Sequence, residues 1–325
     1  MPWLIGIVTA VGCLLGGLAL FTQLGVSRME QEFAPGGSFM DVGTVRLHYR
    51  EAGTGPALVL IHGASTNLRD FSASIFEPLS RTHRVIAIDR PGHGFSERPE
   101  GDWPDPGRQA EMIHQLLLGL KVENPVLVGH SWSGSVVLAY MLAYPKDAAA
   151  GVLLAGATHP WPGGVAWYND LAAVPVIGEL FVRTLVYPLG LLALDGAVAS
   201  VFAPNPVPEH YNATTGVRLT LRPGVFRANA EDNRRLSDFL RIQSRCYAEI
   251  QAPLLLLTGS DDTIVPAWNH SDRLYRQAAH VERVEFEGSG HALHHAHPDQ
   301  VVALITAFSD RQQRAGHPVE VTVVE

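Results

Sequence analysis

Pro125-Val126-Leu127-Val128-Gly129-His130-Ser131-Trp132-Ser133-Gly134 decides the reading of this chain. The apolar run ending at Val128 has the length of a short buried strand, and it passes straight into small residues with a serine at the apex. Val136-Val137-Leu138-Ala139-Tyr140 then favours a helix. A strand that turns this sharply into a helix holds the apex side chain exposed above a sheet, on strained backbone. A serine oxygen placed there reacts only if a base takes its proton and donors receive the resulting oxyanion. The pattern is G-x-S-x-S-G, with Ser133 where a second glycine is usual. Taken alone, Ser131 reads as well as a helix N-cap, which serine favours.

Four other loops supply the context. Ala57-Leu58-Val59-Leu60-Ile61 reads as a buried strand ended by His62-Gly63-Ala64-Ser65, a loop able to aim a backbone N–H at an oxyanion. The two expected donors are the N–H groups of Ala64 and Trp132. Arg84-Val85-Ile86-Ala87-Ile88 is a second strand, followed by Asp89-Arg90-Pro91-Gly92-His93-Gly94-Phe95-Ser96. Pro253 to Thr258 forms a third and runs into Gly259-Ser260-Asp261-Asp262, placing carboxylates beyond a strand's carboxyl end, where open parallel sheets keep their ligand sites. Val284-Glu285-Phe286-Glu287 leads into Gly288-Ser289-Gly290-His291, so a histidine also follows a strand. Serine, aspartate and histidine thus fall in the chain order of a known catalytic arrangement.

From about Gly36 to Ser309 the chain resembles an α/β-hydrolase that carries a cap, with the five motifs in order. The resemblance implies a mainly parallel central sheet flanked by helices, and a Ser131–Asp262–His291 triad with no cofactor. Ser131 attacks an acyl carbon, His291 serves as base and then acid, and Asp262 holds the imidazole in its productive tautomer. Asp262 is preferred to Asp261 because the family's acid falls three residues after the loop glycine, here Gly259. A serine at the apex argues against relatives that use aspartate there on epoxides or alkyl halides. His62 and His130 are expected to line the substrate pocket, and His93 to shape a loop. Asp89 is expected to hydrogen-bond the Gly92-His93-Gly94 turn. His291-Ala292-Leu293-His294-His295-Ala296-His297 hints at a metal, but the Cys/His spacings of a structural zinc site are missing, so none is expected.

Composition bounds the alternatives. With 46% hydrophobic and 17% charged residues over 325 positions, a sizeable core is available and disorder is not the default. A formal charge of −8 offers no basic stripe to a nucleic acid. Two cysteines, Cys13 and Cys246, exclude a disulfide scaffold. The N-terminus carries a separate signal: from Pro2 to Ser27 there is no charged side chain. As a helix, Trp3 to Val26 is about 36 Å long, against a hydrocarbon core of about 30 Å. A signal peptide, and with it a secreted or periplasmic enzyme, is the rival; it usually has a basic region first and a shorter apolar core. A retained single-pass anchor over residues 1–28 is therefore expected. Arg28 is the only basic residue nearby, so charge bias sets no orientation.

Residues 29–42 read as a linker and 43–312 as the hydrolase domain, with a tail over 313–325. Thr44 to Tyr49 alternates like a strand at the sheet edge. Helices are predicted near 67–80, 107–120, 133–143, 268–279 and 298–311, alternating with strands as a parallel sheet requires. Between Ala155 and Gln251 this rhythm stops, and a helical cap over about 157–250 is expected to roof the nucleophile. Its apolar content and a nearby membrane favour a lipophilic ester as the small-molecule substrate. The same scaffold serves aminopeptidases, which need an acidic residue such as Glu179, Glu209 or Glu231 for the amino terminus. It also serves carbon–carbon bond hydrolases and haloperoxidase-like side reactions, and a non-catalytic small-molecule receptor is the rival from a different class.

Overall fold

The computed structural model describes residues 2–316. Eight strands form one sheet: β1 (Ser38–Val42), β2 (Val45–Ala52), β3 (Ala57–Ile61), β4 (Arg84–Ile88), β5 (Val126–His130), β6 (Ala150–Leu154), β7 (Leu254–Gly259) and β8 (Val281–Phe286). Their order is β1-β2-β4-β3-β5-β6-β7-β8. The β1–β2 and β2–β4 pairs are antiparallel and the others parallel. This is the α/β-hydrolase architecture expected from the loops.

The inner parallel strands β3 to β7 are apolar on both faces because helices cover both. Val59, Ile61, Ile86, Ile88 and Leu127 belong to one core cluster, and Leu58, Leu60, Val85, Ala87, Val126 and Val128 to the other. That division follows the two-residue period of a strand. The helices are α1 (Pro2–Glu32), α2 (Arg69–Ser72), α3 (Phe76–Ser80), α4 (Pro106–Gly119), α5 (Gly134–Ala143), α6 (Trp167–Ala172), α7 (Ile177–Thr184), α8 (Val186–Phe202), α9 (Tyr211–Thr215), α10 (Pro223–Gln243), α11 (Ser271–Gln277), α12 (Leu293–Ala296) and α13 (Pro298–Gly316). Ile113 and Leu116 of α4 and Val137 of α5 pack on the first face; Phe71, Phe76, Ile305 and Phe308 pack on the second.

Helices α6 to α10 occupy the insertion between β6 and β7. Two small apolar clusters of their own hold them together, one around Phe181, Val182 and Leu219, the other around Val198, Phe202 and Tyr211. Helix α1 is long and apolar enough to cross a membrane, and none of its most apolar 18-residue window is buried.

Three expectations need correction. Residues 29–42 are not a simple linker: α1 continues to Glu32, and Ser38–Val42 is the true edge strand, which moves Thr44–Tyr49 one place inward. The helix persists because Met29 and Phe33 are buried against the cap. The helix expected over 67–80 is two short ones, α2 and α3. The tail from His317 lies outside the described residues.

Candidate active site

Strand β5 ends at His130, a tight turn covers Ser131–Ser133, and α5 starts at Gly134. Ser131 has φ = 52°, which for a side chain with a Cβ costs about 1–3 kcal/mol. Surrounding bonds hold it there. Ala157 N–H donates to Ser131 O (2.8 Å), Ser135 Oγ donates to Trp132 O (2.6 Å), and the buried Ser133 hydroxyl donates to His62 O. Ser133 therefore fills the usual glycine position with a hydrogen bond to the neighbouring loop. Close packing falls to Gly134, where a Cβ would lie 2.7 Å from Gly156 Cα.

His291 follows β8 and is buried. Its Nδ1–H donates to Asp262 Oδ2 at 2.8 Å. The other oxygen, Oδ1, accepts the backbone N–H groups of Ile264 (2.8 Å) and Val265 (2.9 Å). Burial opposes ionisation of Asp262, but His291 beside it and these donors hold its carboxyl below the usual range. Asp261 is exposed and accepts from Ser260 Oγ. Ser131 and His291 line the same cavity.

Ala64 and Trp132 both line that cavity, and Ala64 N–H has no acceptor among the described residues. Their loops are joined by Arg90. Its guanidinium sits 4.1 Å from the Trp132 ring centroid and donates to His62 O (3.1 Å) and Gly63 O (3.3 Å). Its charge is matched by fully buried Asp232 of α10 at 2.7 Å, so one ion pair ties the cap to both loops. Asp232 O also accepts from Trp132 Nε1 (3.2 Å).

His62 does not line the cavity, contrary to expectation. Its Nδ1–H donates to Gly63 O (2.8 Å), and Nε2 accepts Arg90 N–H (3.0 Å). Burial first, then Arg90 and His93, push its pKa down to about 3, so it stays neutral and shapes the loop. Asp89 does bind the turn after it: Phe95 N–H donates to Oδ2 (2.8 Å), while His48 (2.6 Å) and Leu68 N–H (2.8 Å) complete its partners.

His130 does line the cavity, its ring 4.9 Å from that of His291 and 4.5 Å from that of His294. Beyond it lies a network that sequence reasoning did not single out. Buried Asp70 of α2 accepts from His294 Nε2 (2.9 Å), His295 Nε2 (2.9 Å) and Tyr211 OH (2.9 Å). Burial opposes this carboxylate, yet His294 and His295 hold its pKa well below the usual value. The ligand atoms of Asp70, His294 and His295 lie within 4.8 Å of one another, a spacing a metal ion can use. All three are already spent on hydrogen bonds.

The cavity has a volume of about 840 Å³ and runs from Ser131 up into the cap, between α8 and the aromatic side chains Trp167, Tyr168 and Phe226. No lysine or arginine lines it among the described residues, and its one acidic group is Asp70.

Several known proteins are similar to this chain. An uncharacterized protein of Mycobacterium tuberculosis is 26% identical over 297 residues, covering 85% of this chain and 82% of its own length. A 2-hydroxy-6-oxononadienedioate/2-hydroxy-6-oxononatrienedioate hydrolase of Burkholderia vietnamiensis is 27% identical over 234 residues, 68% of this chain and 76% of its own. Among solved structures, a thermophilic esterase from Thermogutta terrifontis superposes with a TM-score of 0.67 at 19% identity, over 85% of this chain and 99% of its own, a likeness of fold. The sequence profile of the alpha/beta hydrolase family matches residues 58–304, and together with the sheet order this makes the chain a member of that family.

Proposed function

We propose that this protein is a membrane-anchored serine hydrolase that cleaves apolar carboxylic esters through an acyl-enzyme on Ser131. The observation that carries this reading is the cavity, in which Ser131 and His291 face an apolar space without a cationic group. Ser131 Oγ attacks the ester carbon while its proton passes to His291 Nε2. Asp262, ionised and bonded to Nδ1–H, stabilises the imidazolium that forms. The N–H groups of Ala64 and Trp132 receive the oxyanion. Collapse releases the alcohol with the proton from His291, and a water activated by the same imidazole then frees the acid.

Two rivals lose ground on particular residues. A dioate of the kind named for the Burkholderia relative carries carboxylates that this lining leaves unpaired. An aminopeptidase needs a free acid at the amino terminus of its substrate. Glu179 is paired with Arg183 and Arg227, Glu231 with Arg98 and Arg235, and neither these nor Glu209 lines the cavity.

The test is fluorophosphonate labelling of the detergent-solubilised full-length protein beside Ser131→Ala, followed by p-nitrophenyl esters of increasing chain length. Labelling that disappears in the variant, with faster turnover of medium or long chains, is expected. An unlabelled folded wild type moves the receptor reading to the front, and a preference for acetate refutes the lipophilic substrate.

A further inference from the structure

We propose that the α7–α8 elbow of the cap rests in the surface of the bilayer that α1 crosses, so that the mouth of the cavity opens on lipid. This rests on the membrane-anchor reading and adds the part of the enzyme domain that meets the membrane.

Helix α1 has two halves with different surroundings. From Pro2 to Phe21 no residue is buried, and Trp3, Ile5, Val8, Leu14, Leu20 and Phe21 are all at least half exposed. Residues 2–21 make a helix of about 30 Å, the thickness of a hydrocarbon core. From Thr22 onward the helix belongs to the protein. Thr22, Gly25 and Met29 are buried. Gly25 is pressed so closely on Tyr187 that a Cβ there would lie 2.2 Å from the ring, and Phe21 meets the same ring at 5.5 Å. Glu32 pairs with Arg218 (2.6 Å) and Glu30 with Arg222 (3.1 Å), both in the cap. The apolar half thus ends where packing begins. A leader removed after its apolar run would strip the Phe21 and Gly25 contacts with Tyr187 from the cap.

Tyr187 fixes what lies at the exit. It opens α8, which meets α7 at an angle of 63°. Near this corner the cap exposes Val176 (82%), Ile177, Leu180, Leu185, Leu189 and Leu192 (85%). Helix α8 carries one charged side chain in 17 residues, Asp195. Trp167 and Tyr168 of neighbouring α6 are exposed as well, and such rings favour the headgroup level. Apolar surface this extensive, continuous with a helix of bilayer length, fits lipid as its occupant. Helix α8 also lines the cavity through Leu189, Ala193, Ala197 and Val201, of which Leu189, Ala193 and Ala197 are exposed. The mouth and the apolar corner therefore share one helix.

The experiment reads depth without reading activity. The full-length protein, with Cys13→Ser and Cys246→Ser, is reconstituted in phosphatidylcholine vesicles and labelled with an environment-sensitive fluorophore at single cysteines. The sites are Ile177→Cys, Leu192→Cys and Ala193→Cys. Ile7→Cys marks the span. Ile242→Cys is the distant control: exposed on α10, it is about 29 Å along the helix from Pro223, which neighbours the α1-paired Arg222. Doxyl-labelled lipid is expected to quench residues 7, 177, 192 and 193 and to spare 242. Quenching at 7 with none at 177, 192 and 193 overturns the proposal while leaving the anchor. No quenching at 7 removes the anchor too. Protection of the cap sites from an aqueous quencher without quenching by lipid identifies a second protein copy as the occupant and also overturns it. The hydrolase reading stands or falls separately, on labelling in detergent.

Discussion

Asp262 uses both carboxylate oxygens, one on His291 Nδ1–H and the other on two backbone N–H groups. An amide at this position can keep the loop bonds with its oxygen, but it then turns an N–H₂ donor toward His291. The imidazole must rotate or take the wrong tautomer, and the imidazolium loses its counter-charge. Asp262→Asn is therefore expected to lower kcat on the order of 10³–10⁴-fold. Asp261→Asn, at an exposed turn, leaves kcat close to wild type and moves stability within about 0.5 kcal/mol. Steady-state kinetics of the two purified variants decides between them, and a crippled Asp261→Asn beside an active Asp262→Asn transfers the role. Ser131, Asp262 and His291 are legible in the sequence for one physical reason. Each follows a short predicted strand, an apolar run before Ser131 and Asp262 and the alternating Val284–Glu287 before His291, so local pattern alone places them along one edge of the sheet. The pocket role expected for His62 fails because sequence shows a loop histidine but not its Arg90 and Gly63 partners.

Three elements far apart in the chain are joined at one buried carboxylate. Asp70 on α2 holds His294 and His295 of α12, just after His291, and Tyr211 of α9 in the cap. Asp70→Asn presents an N–H₂ group to partners that are themselves donors, leaving at least one buried group unpaired. That costs about 1–3 kcal/mol, read as a lowered urea midpoint with unchanged slope. Tyr211→Phe removes one neutral donor and leaves the carboxylate two partners, so its loss is smaller. Equal loss in both variants would mean that the cap tie, and not the carboxylate, carries the stability. No sequence pattern announces this junction, because the partners are separated by 141 to 225 positions. The same holds for Arg90 and Asp232, 142 positions apart. Elements that are short apolar runs or carry an apolar helical face are legible, as β3, β5 and β7 show for the first and α4 for the second. The linker is not: Ser38–Val42 has one turn of alternation, and its pairing with β2 makes it a strand.

Burial keeps seven histidines of the molecule biased toward the neutral form. Of 15 in the chain, His62, His83, His93, His130, His159, His270 and His294 have lowered pKa values, in each case through burial first. His62 and His270 are pushed down to about 3 and His159 to about 4. In the unfolded chain these rings titrate near 6.5, so below that value the unfolded state binds more protons than the native one. Their contribution is complete above pH 6.5 and is lost as pH falls toward the folded values. Asp70, Asp89 and Asp262, held low by their partners, act in the same direction over a lower window, below about 3.9. Each extra proton taken up on unfolding adds about 1.4 kcal/mol of lost stability per pH unit. The midpoint of thermal unfolding in detergent, followed by tryptophan fluorescence, should therefore stay level from pH 7.5 to about pH 6.5 and then fall continuously to pH 4.5, where carboxylates alone would leave a plateau. Because these groups are buried, the slope should persist in high salt, whereas a slope from the exposed pairs such as Arg108–Glu111 would be screened away. A midpoint that is flat over this range would show that the native state takes up these protons as readily as the unfolded chain does. The neutral histidine scaffold beneath the candidate site would then have to be abandoned.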